Sequence, residues 1–412
     1  MKRNSRNRNT SESDSNPAPS PQKRMKQDES TVSSTDTWRE ISGLMTINIS
    51  SSPSDKVLGF DMDSTLICTK SGKTFAVNEN DWRLLYDQIP ETLKKYSSDG
   101  YRIVIFTNQG GVKAGKQDKS ALQRKIEAVV SALEVPTLVL AAIDDDEFRK
   151  PCPGMWDYFV KNLNGGVAPD MEQSFYIGDA AGRPASGGRK KDFNDTDLKF
   201  ALNIGVTFQT PEQFFLGAHE NIPEVEINPK LIKKEGPVLK GETDNSTLMK
   251  DHQEAIIFVG SPGSGKSTFW KNNLSRYVRV NNDTLKTKEK CMKTMRDALN
   301  AGKSCVIDNT NPTAEVRANY INIAKEFNVP VRCFLFSMPK EMAFHLDTLR
   351  LVNKHRNHLS GRVGSMPIHK FYKDFQRPEL REGFEEIKEV ELVGGPFDNE
   401  EDEKLFFSFV HS

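Results

Sequence analysis

Asp61 and Asp63 stand either side of Met62 in "GFDMDSTLI" (59–67), behind an apolar run and ahead of Ser64 and Thr65. In an extended stretch, residues i and i+2 point to the same side, so both carboxylates would face one point beyond a strand end. Like charges that close need a cation, and Mg²⁺ is the expected one. A lone D-x-D is common in surface turns. Three further stretches weigh against that reading here. "IFTNQ" puts Thr107 and Asn108 at a strand end, "FRKPCPGMW" puts Lys150 before a Pro-rich turn, and "FYIGDAAGR" puts Asp179 at another strand end. A nucleophile, a hydroxyl, a lysine and an acid follow one another, each in its slot of the β/α alternation.

A second device lies about two hundred residues on, in "GSPGSGKST". Its first eight residues fit G-x-x-x-x-G-K-[ST] at every position, after the apolar "AIIFV" and before the helical "KSTFWKNNL". Gly260, Ser261, Pro262, Gly263, Ser264 and Gly265 would turn successive N–H groups onto phosphate oxygens. Lys266 would reach the β/γ-phosphates of ATP, the Ser267 hydroxyl would hold Mg²⁺, and Thr268 continues the loop into the helix. Asp283, in "NNDTL" after the short run "YVRV", could take a proton from an attacking hydroxyl. An N-cap for the following helix is an equal alternative for it. "SCVIDNTN" places Asp308 at a further strand end, suited to Mg²⁺ or to orienting a partner residue. Arg350, Lys354, Arg356 and Arg362 in "LRLVNKHRNHLSGR" would form a basic lid over the transferred phosphoryl group. A solvated helix face is the bland alternative.

The elements needed to hold these residues are legible. From residue 56, "KVLGFD", "RIVIFTN", "TLVLAAI" and "SFYIGD" are continuous apolar runs of strand length, separated by helical segments at 89–99, 118–133 and 154–163. Buried parallel strands read this way, so a doubly wound α/β body is expected, with ligands at the C-terminal strand ends. A second alternation begins at "EAIIFVG". The expected organisation is a disordered basic tail over 1–37, an α/β domain over 38–217, a linker over 218–252 and a second α/β domain over 253–412. Both domains should carry doubly wound parallel sheets.

Composition agrees. The chain has 412 residues, 28% charged and 36% hydrophobic, with formal net charge zero. That argues against a whole-protein electrostatic grip on nucleic acid but not against a local basic groove. No apolar run is long enough to span a membrane, and no secretory signal is seen. Cys68, Cys152, Cys291, Cys305 and Cys333 have no zinc spacing and read as free thiols in a reducing compartment. The tail segment "QKRMKQ" suits nuclear import or a nucleic-acid contact, with a solvated tail as the alternative.

The order DxDx[TS], Thr, Lys, Asp resembles the haloacid dehalogenase-type phosphohydrolases. The resemblance implies that Asp61 attacks phosphorus to form an aspartyl-phosphate, and that Asp63 acts as general acid and then base. It further implies that Thr107 and Lys150 bind phosphoryl oxygens. Asp61, the Asp63 carbonyl and Asp179 would ligate Mg²⁺. Many relatives carry a second acid soon after Asp179. "GDAAGRPASGGRKKDFNDTD" delays it to Asp192, Asp195 or Asp197. The segment after the D-x-D strand has room for a flap but not for a cap domain, which suits the end of a large substrate.

With the P-loop added, roughly residues 38–412 resemble the polynucleotide kinase 3′-phosphatases, which heal DNA ends. The carrying stretches are "GFDMDSTLI", "IFTNQGG", "FRKPCPGMW", "YIGDAAGRP", "RKKDFNDTDLKFALNIG", "GSPGSGKST", "VNNDTL" and "DNTNP". The resemblance implies removal of 3′-phosphates and ATP-dependent phosphorylation of 5′-hydroxyls at DNA single-strand breaks, gaps and double-strand breaks. It makes Asp283 the base and Arg356 a lid arginine. It further implies Mg²⁺ and ATP as cofactors, a repair ligase or scaffold as partner, a monomer, and a nuclear location. The forkhead-associated domain that animal relatives carry at the N-terminus is not expected. The competing readings are the same chemistry on RNA ends, a small-metabolite phosphatase/kinase, and a scaffold without catalysis.

Overall fold

The structure, a computed structural model, describes residues 37–411 except 187, 354–362 and 396. The expected tail up to residue 36, and the expected lid residues Lys354, Arg356 and Arg362, lie outside the described residues.

Two sheets organise the rest. The first has seven strands in the order β1-β2-β7-β6-β3-β8-β9. They are β1 (Arg39–Ile41), β2 (Leu44–Ile49), β3 (Val57–Phe60), β6 (Arg102–Asn108), β7 (Thr137–Ala142), β8 (Phe175–Ile177) and β9 (Thr207–Gln209). A separate two-stranded flap, β4 (Ile67–Cys68) with β5 (Arg83–Leu84), lies between β3 and the first helix. From β6 through β3 and β8 to β9 every pairing is parallel, as the continuous apolar runs predict. β2 joins β7 antiparallel and β1 folds back on β2. This hairpin lies outside the expected alternation, which begins only at residue 56.

Helices cover this sheet: α1 (Ile89–Ser98), α2 (Lys119–Leu133), α3 (Gly154–Tyr158) running into a π-helical turn over Phe159–Leu163, α4 (Thr196–Ile204) and α5 (Pro211–Leu216). α2 starts where Asp118 accepts from Ala121 N at 2.9 Å, and it buries Leu122, Ile126, Val129 and Leu133 at helical spacing. α5 starts at Thr210 with a full capping box through Gln213.

The second sheet has five strands, all parallel, in the order β11-β12-β10-β13-β14. They are β10 (Ala255–Gly260), β11 (Val278–Val280), β12 (Cys305–Ile307), β13 (Val331–Phe336) and β14 (Glu386–Glu389). Its helices are α6 (Lys266–Asn273), α7 (Asn282–Leu285), α8 (Lys288–Asn300), α9 (Ala314–Glu326), α10 (Lys340–Val352), α11 (Ser365–Asp374) and α12 (Glu400–Phe406).

Residues 218–252 do not merely connect. Leu239 and Leu248 are buried with Phe258, Phe269 and Phe334, and Arg332 donates to the carbonyls of Thr247 and Leu248. Arg332 is itself fully buried and forked onto Glu254, at 2.6 and 2.7 Å. Breaking such a pair would leave an uncompensated charge in the core.

Candidate active sites

In each sheet the strand order reverses at one strand. β3 has β6 on one side and β8 on the other, and β10 has β12 and β13. Ligands in open α/β sheets gather outside the C-terminal ends at such switch points. Both sequence devices sit there.

At the first, β3 stops at Phe60, and Asp61 N donates to Ile177 O at 2.9 Å, locking the nucleophile candidate beside β8. Its side chain turns inward, and Lys150 Nζ lies 2.7 Å from Asp61 Oδ1. The same ammonium donates to Asp197 Oδ1 and to the Tyr176 hydroxyl, each at 2.7 Å. Asn108, at the end of β6, fixes the Lys150 backbone: its amide donates to Lys150 O at 3.0 Å and accepts from Lys150 N at 2.9 Å. Asp179 follows β8 with its N–H on Thr65 Oγ1 at 3.1 Å.

The carboxylates of Asp61, Asp179 and Asp197 offer oxygens that all lie within 4.8 Å of one another. Burial pushes the Asp61 carboxyl up to about 7 despite Lys150, with Asp197 adding to the rise. Burial, Asp197 and Asp61 likewise raise Asp179 well above the carboxylate range. Burial disfavours the Lys150 ammonium, but Asp197 and Asp61 outweigh it and hold the group above its usual range. Two buried acids and a half-buried one against one lysine is the charge pattern a divalent cation relieves, so the residues fit Mg²⁺.

Of the three acids considered for the second position, Asp197 is the one at the site. It reaches it because Gly178 has no side chain: a Cβ there would lie 2.4–2.6 Å from Asp197 atoms. Asp192 instead pairs with Arg183 at 2.8 Å and Asp195 with Lys199 at 2.8 Å.

The expectation that both D-x-D carboxylates face one point needs correction. The strand ends before the motif, and Ser64 has φ 64°, so residues 61–64 form a turn and the alternation of an extended chain does not apply. Asp61 turns to Lys150, while Asp63 turns to Lys125 Nζ at 2.7 Å and Gln109 Nε2 at 2.8 Å. The Asp63 carboxylate is therefore not part of the three-acid cluster. Thr107 lies fully inside, accepting from Gln109 Nε2 at 2.9 Å.

At the second site Gly260 ends β10 and the loop runs through Gly263 (φ 84°) and Gly265 (φ 82°) into α6. Both angles favour glycine and let the N–H groups curl toward one centre. Lys266 is folded back on its own loop, donating to Ser261 O at 2.6 Å, Gly260 O at 3.0 Å and Ser264 Oγ at 3.2 Å. Burial pushes its ammonium down to about 8. Ser267 Oγ donates to Asp308 Oδ2 at 2.8 Å, and Asp308 Oδ1 is buried with no hydrogen-bond partner. Arg279 forks onto Asp308 Oδ2 at 2.6 and 2.8 Å and reaches Ser267 Oγ at 2.8 Å. A guanidinium thus stands where a cation is wanted, and Ser267 with Asp308 fits Mg²⁺.

Asp283 is exposed in the first turn of α7. The capping role considered for it belongs to Asn281, which accepts from Thr284 N at 3.1 Å. Asp283 lies close enough for its charge to favour the Lys266 ammonium. A cavity of about 360 Å³ opens beside Gly263, Gly265 and Thr268 and is bordered by Arg350.

A family model described as polynucleotide kinase 3 phosphatase matches residues 56–215, and one described as AAA domain matches residues 286–357. The bifunctional polynucleotide phosphatase/kinase of Schizosaccharomyces pombe is 40% identical over 339 residues, 81% of this chain and 79% of that protein. The chain belongs to the bifunctional polynucleotide phosphatase/kinase family. The polynucleotide 3′-phosphatase of Saccharomyces cerevisiae is 28% identical over 39% of this chain and 87% of its own length. The polynucleotide 3′-phosphatase ZDP of Arabidopsis thaliana is 38% identical over 40% of this chain and 24% of its own length.

Sequence reading missed Lys125, Gln109, Tyr176 and Arg279 at these phosphatase/kinase sites. Lys125 carries a local signal: a lysine on the apolar face of an amphipathic helix needs a buried partner. Gln109 stands two residues beyond Thr107. Tyr176 and Arg279 read as ordinary strand residues, and only the fold brings them to the acids.

Proposed function

We propose that this chain heals broken DNA ends, hydrolysing 3′-phosphates at the Asp61 site and transferring the γ-phosphate of ATP to 5′-hydroxyls at the P-loop. The observation that carries the phosphatase half is the Asp61 carboxylate held 2.7 Å from Lys150, with Asp179 and Asp197 beside it, at a sheet switch point. Kinship with proteins named for both activities supports the pairing.

An Asp61 oxygen attacks phosphorus, the bond to the 3′-oxygen breaks, and Asp63 gives that oxygen its proton. Water then attacks the aspartyl-phosphate, Asp63 takes the water's proton, and phosphate leaves. Lys150 and Thr107 bind phosphoryl oxygens. Asp61, Asp179 and the Asp63 carbonyl would hold Mg²⁺, which supplies positive charge against the phosphoryl group. Asp197 keeps Lys150 in place. In the second half, Lys266 leaves its loop carbonyls for the β/γ-phosphates. Ser267 and Asp308 would hold Mg²⁺ there, and Asp283 accepts the proton of the 5′-hydroxyl.

The test is a nicked duplex carrying 3′-phosphate and 5′-hydroxyl, incubated with ATP and Mg²⁺ beside its RNA counterpart. Both DNA ends should be converted, faster than the RNA ends. Unchanged ends would overturn the reading, and faster RNA processing would move it to RNA.

A further inference from the structure

Lys125 is a cation on a helix face that otherwise buries hydrocarbon. Its neighbours on that face of α2 are Leu122, Ile126 and Val129, all fully buried, and its own side chain is 4% exposed. A helix that only had to cover the sheet would carry leucine or methionine here, since a buried ammonium costs several kcal/mol unless paired. Its partner is Asp63, whose Oδ1 lies 2.7 Å from the Nζ. Gln109 holds Oδ2 at 2.8 Å and, with the same amide nitrogen, donates to Thr107 Oγ1 at 2.9 Å. The Asp63 side chain is 49% exposed, on a turn. An exposed aspartate there would ordinarily sample several rotamers. Two donors rising from below restrict it, one anchored in a helix and the other tied to Thr107.

We propose that Lys125 is a positioning residue for Asp63, holding the carboxyl group on the leaving-group side of Asp61 so that it can pass a proton to the departing oxygen. This rests on the phosphatase reading above. In the first step the Asp61–phosphorus bond forms, the bond from phosphorus to the leaving oxygen breaks, and that oxygen receives the Asp63 proton. Loss of Lys125 frees the carboxyl group to swing, so the step loses its acid while the nucleophile keeps Lys150.

Leaving-group dependence separates this from a structural role. An alkoxide needs the proton and a nitrophenolate does not. The full-length chain and its Lys125→Met variant are compared in the first turnover, by rapid quench, on a 3′-phosphorylated oligonucleotide and on p-nitrophenyl phosphate. Release of the oligonucleotide should fall by about a hundredfold, the scale of a misplaced catalytic group. The nitrophenolate burst should fall by less than about threefold on the same grounds, because no proton is required. Lys125→Arg, which keeps the charge, should restore part of the oligonucleotide rate. It also carries the comparison if the methionine variant does not fold, as judged by its thermal unfolding transition. Equal loss on both substrates, or no loss on either, overturns the assignment of Lys125. A wild-type chain that leaves the 3′-phosphate intact overturns the phosphatase reading itself.

Discussion

Asn203 and Phe409 are tied by reciprocal hydrogen bonds: Asn203 Nδ2 donates to Phe409 O at 2.7 Å, and Phe409 N donates to Asn203 Oδ1 at 2.8 Å. Asn203 lies on α4, the helix that carries Asp197, and Phe409 follows α12 near the C-terminus. Around the pair, Asn203 also donates to Pro151 O at 2.7 Å, Lys199 donates to His411 O at 3.0 Å, and Cys152, Leu349, Val352 and Val410 bury one another. The C-terminal segment therefore braces the segment next to Lys150 and the helix of Asp197. Asn203→Ala removes both bonds to Phe409 and the one to Pro151, and leaves backbone groups at the buried Phe409 without partners. A loss of about 3 kcal/mol is expected, at roughly 1 kcal/mol per bond. Denaturant unfolding followed by phosphatase and kinase assays checks it, with the phosphatase more affected.

The two sites use separate side chains on separate sheets. Asp61→Asn should abolish 3′-phosphatase activity and spare the kinase, and Lys266→Ala should do the reverse. Each loss should reach about a thousandfold or more, as for removal of a nucleophile or of a key phosphate ligand. Quenched assays on doubly labelled nicked duplexes read both ends at once. Loss of both activities in a folded variant would contradict two independent sites.

Gly178→Ala tests the approach of Asp197. The new methyl would sit 2.4–2.6 Å from the Asp197 side chain, so the acid must move off Lys150. Phosphatase activity should fall by roughly a hundredfold, the cost of a displacement near 1 Å, with the kinase unchanged.

The acid cluster ties stability to pH. In the metal-free protein the Asp61 carboxyl titrates near 7, above its unfolded value of 3.8, for want of enough positive charge in a buried place. Between those values the folded state binds more protons than the unfolded one. The contribution is therefore intact below pH 4 and lost as pH rises through 7. Added Mg²⁺ should restore stability at pH 7–8 and have little effect at pH 5. Thermal unfolding with and without Mg²⁺ across that range shows it, and Asp61→Asn should flatten the dependence.

Lys266 makes the opposite kind of prediction. Burial lowers its ammonium to about 8, and a bound polyphosphate would favour the charged form. Nucleotide binding above pH 8 should therefore take up a proton, and affinity should weaken as pH rises from 8 to 9. Calorimetry in buffers of different ionisation enthalpy measures the uptake directly. Lys266→Arg, which stays charged, should lose the pH dependence.

The pattern of residues along the chain was sufficient for several conclusions. "KVLGF", "RIVIFTN" and "AIIFVG" read as buried parallel strands, because they are of strand length, alternate with helical segments and have no wet face. The glycines of "GSPGSGKS" carry their own conformation, and the observed φ of Gly263 and Gly265 is what the motif requires. Asp61, Thr107 and Asp179 were legible because each lies at a strand end, and Lys150 because it opens the Pro-rich turn into α3; strand ends in a doubly wound sheet converge. These are local properties, and a linear sequence records them.

What depends on distance in the chain was decided only by the fold. Asp192, Asp195 and Asp197 were equivalent on paper. Asp197 was selected because α4 packs beside a glycine that leaves room for it, while Arg183 and Lys199 take the other two. The parting of Asp61 from Asp63 followed from a turn and from Lys125 rising out of α2 beneath it. The burial of Leu239 and Leu248 against the second sheet and the brace of Phe409 on Asn203 join segments far apart in sequence. Charges and close contacts act through space at a few ångströms, and only the folded chain says which groups come that near.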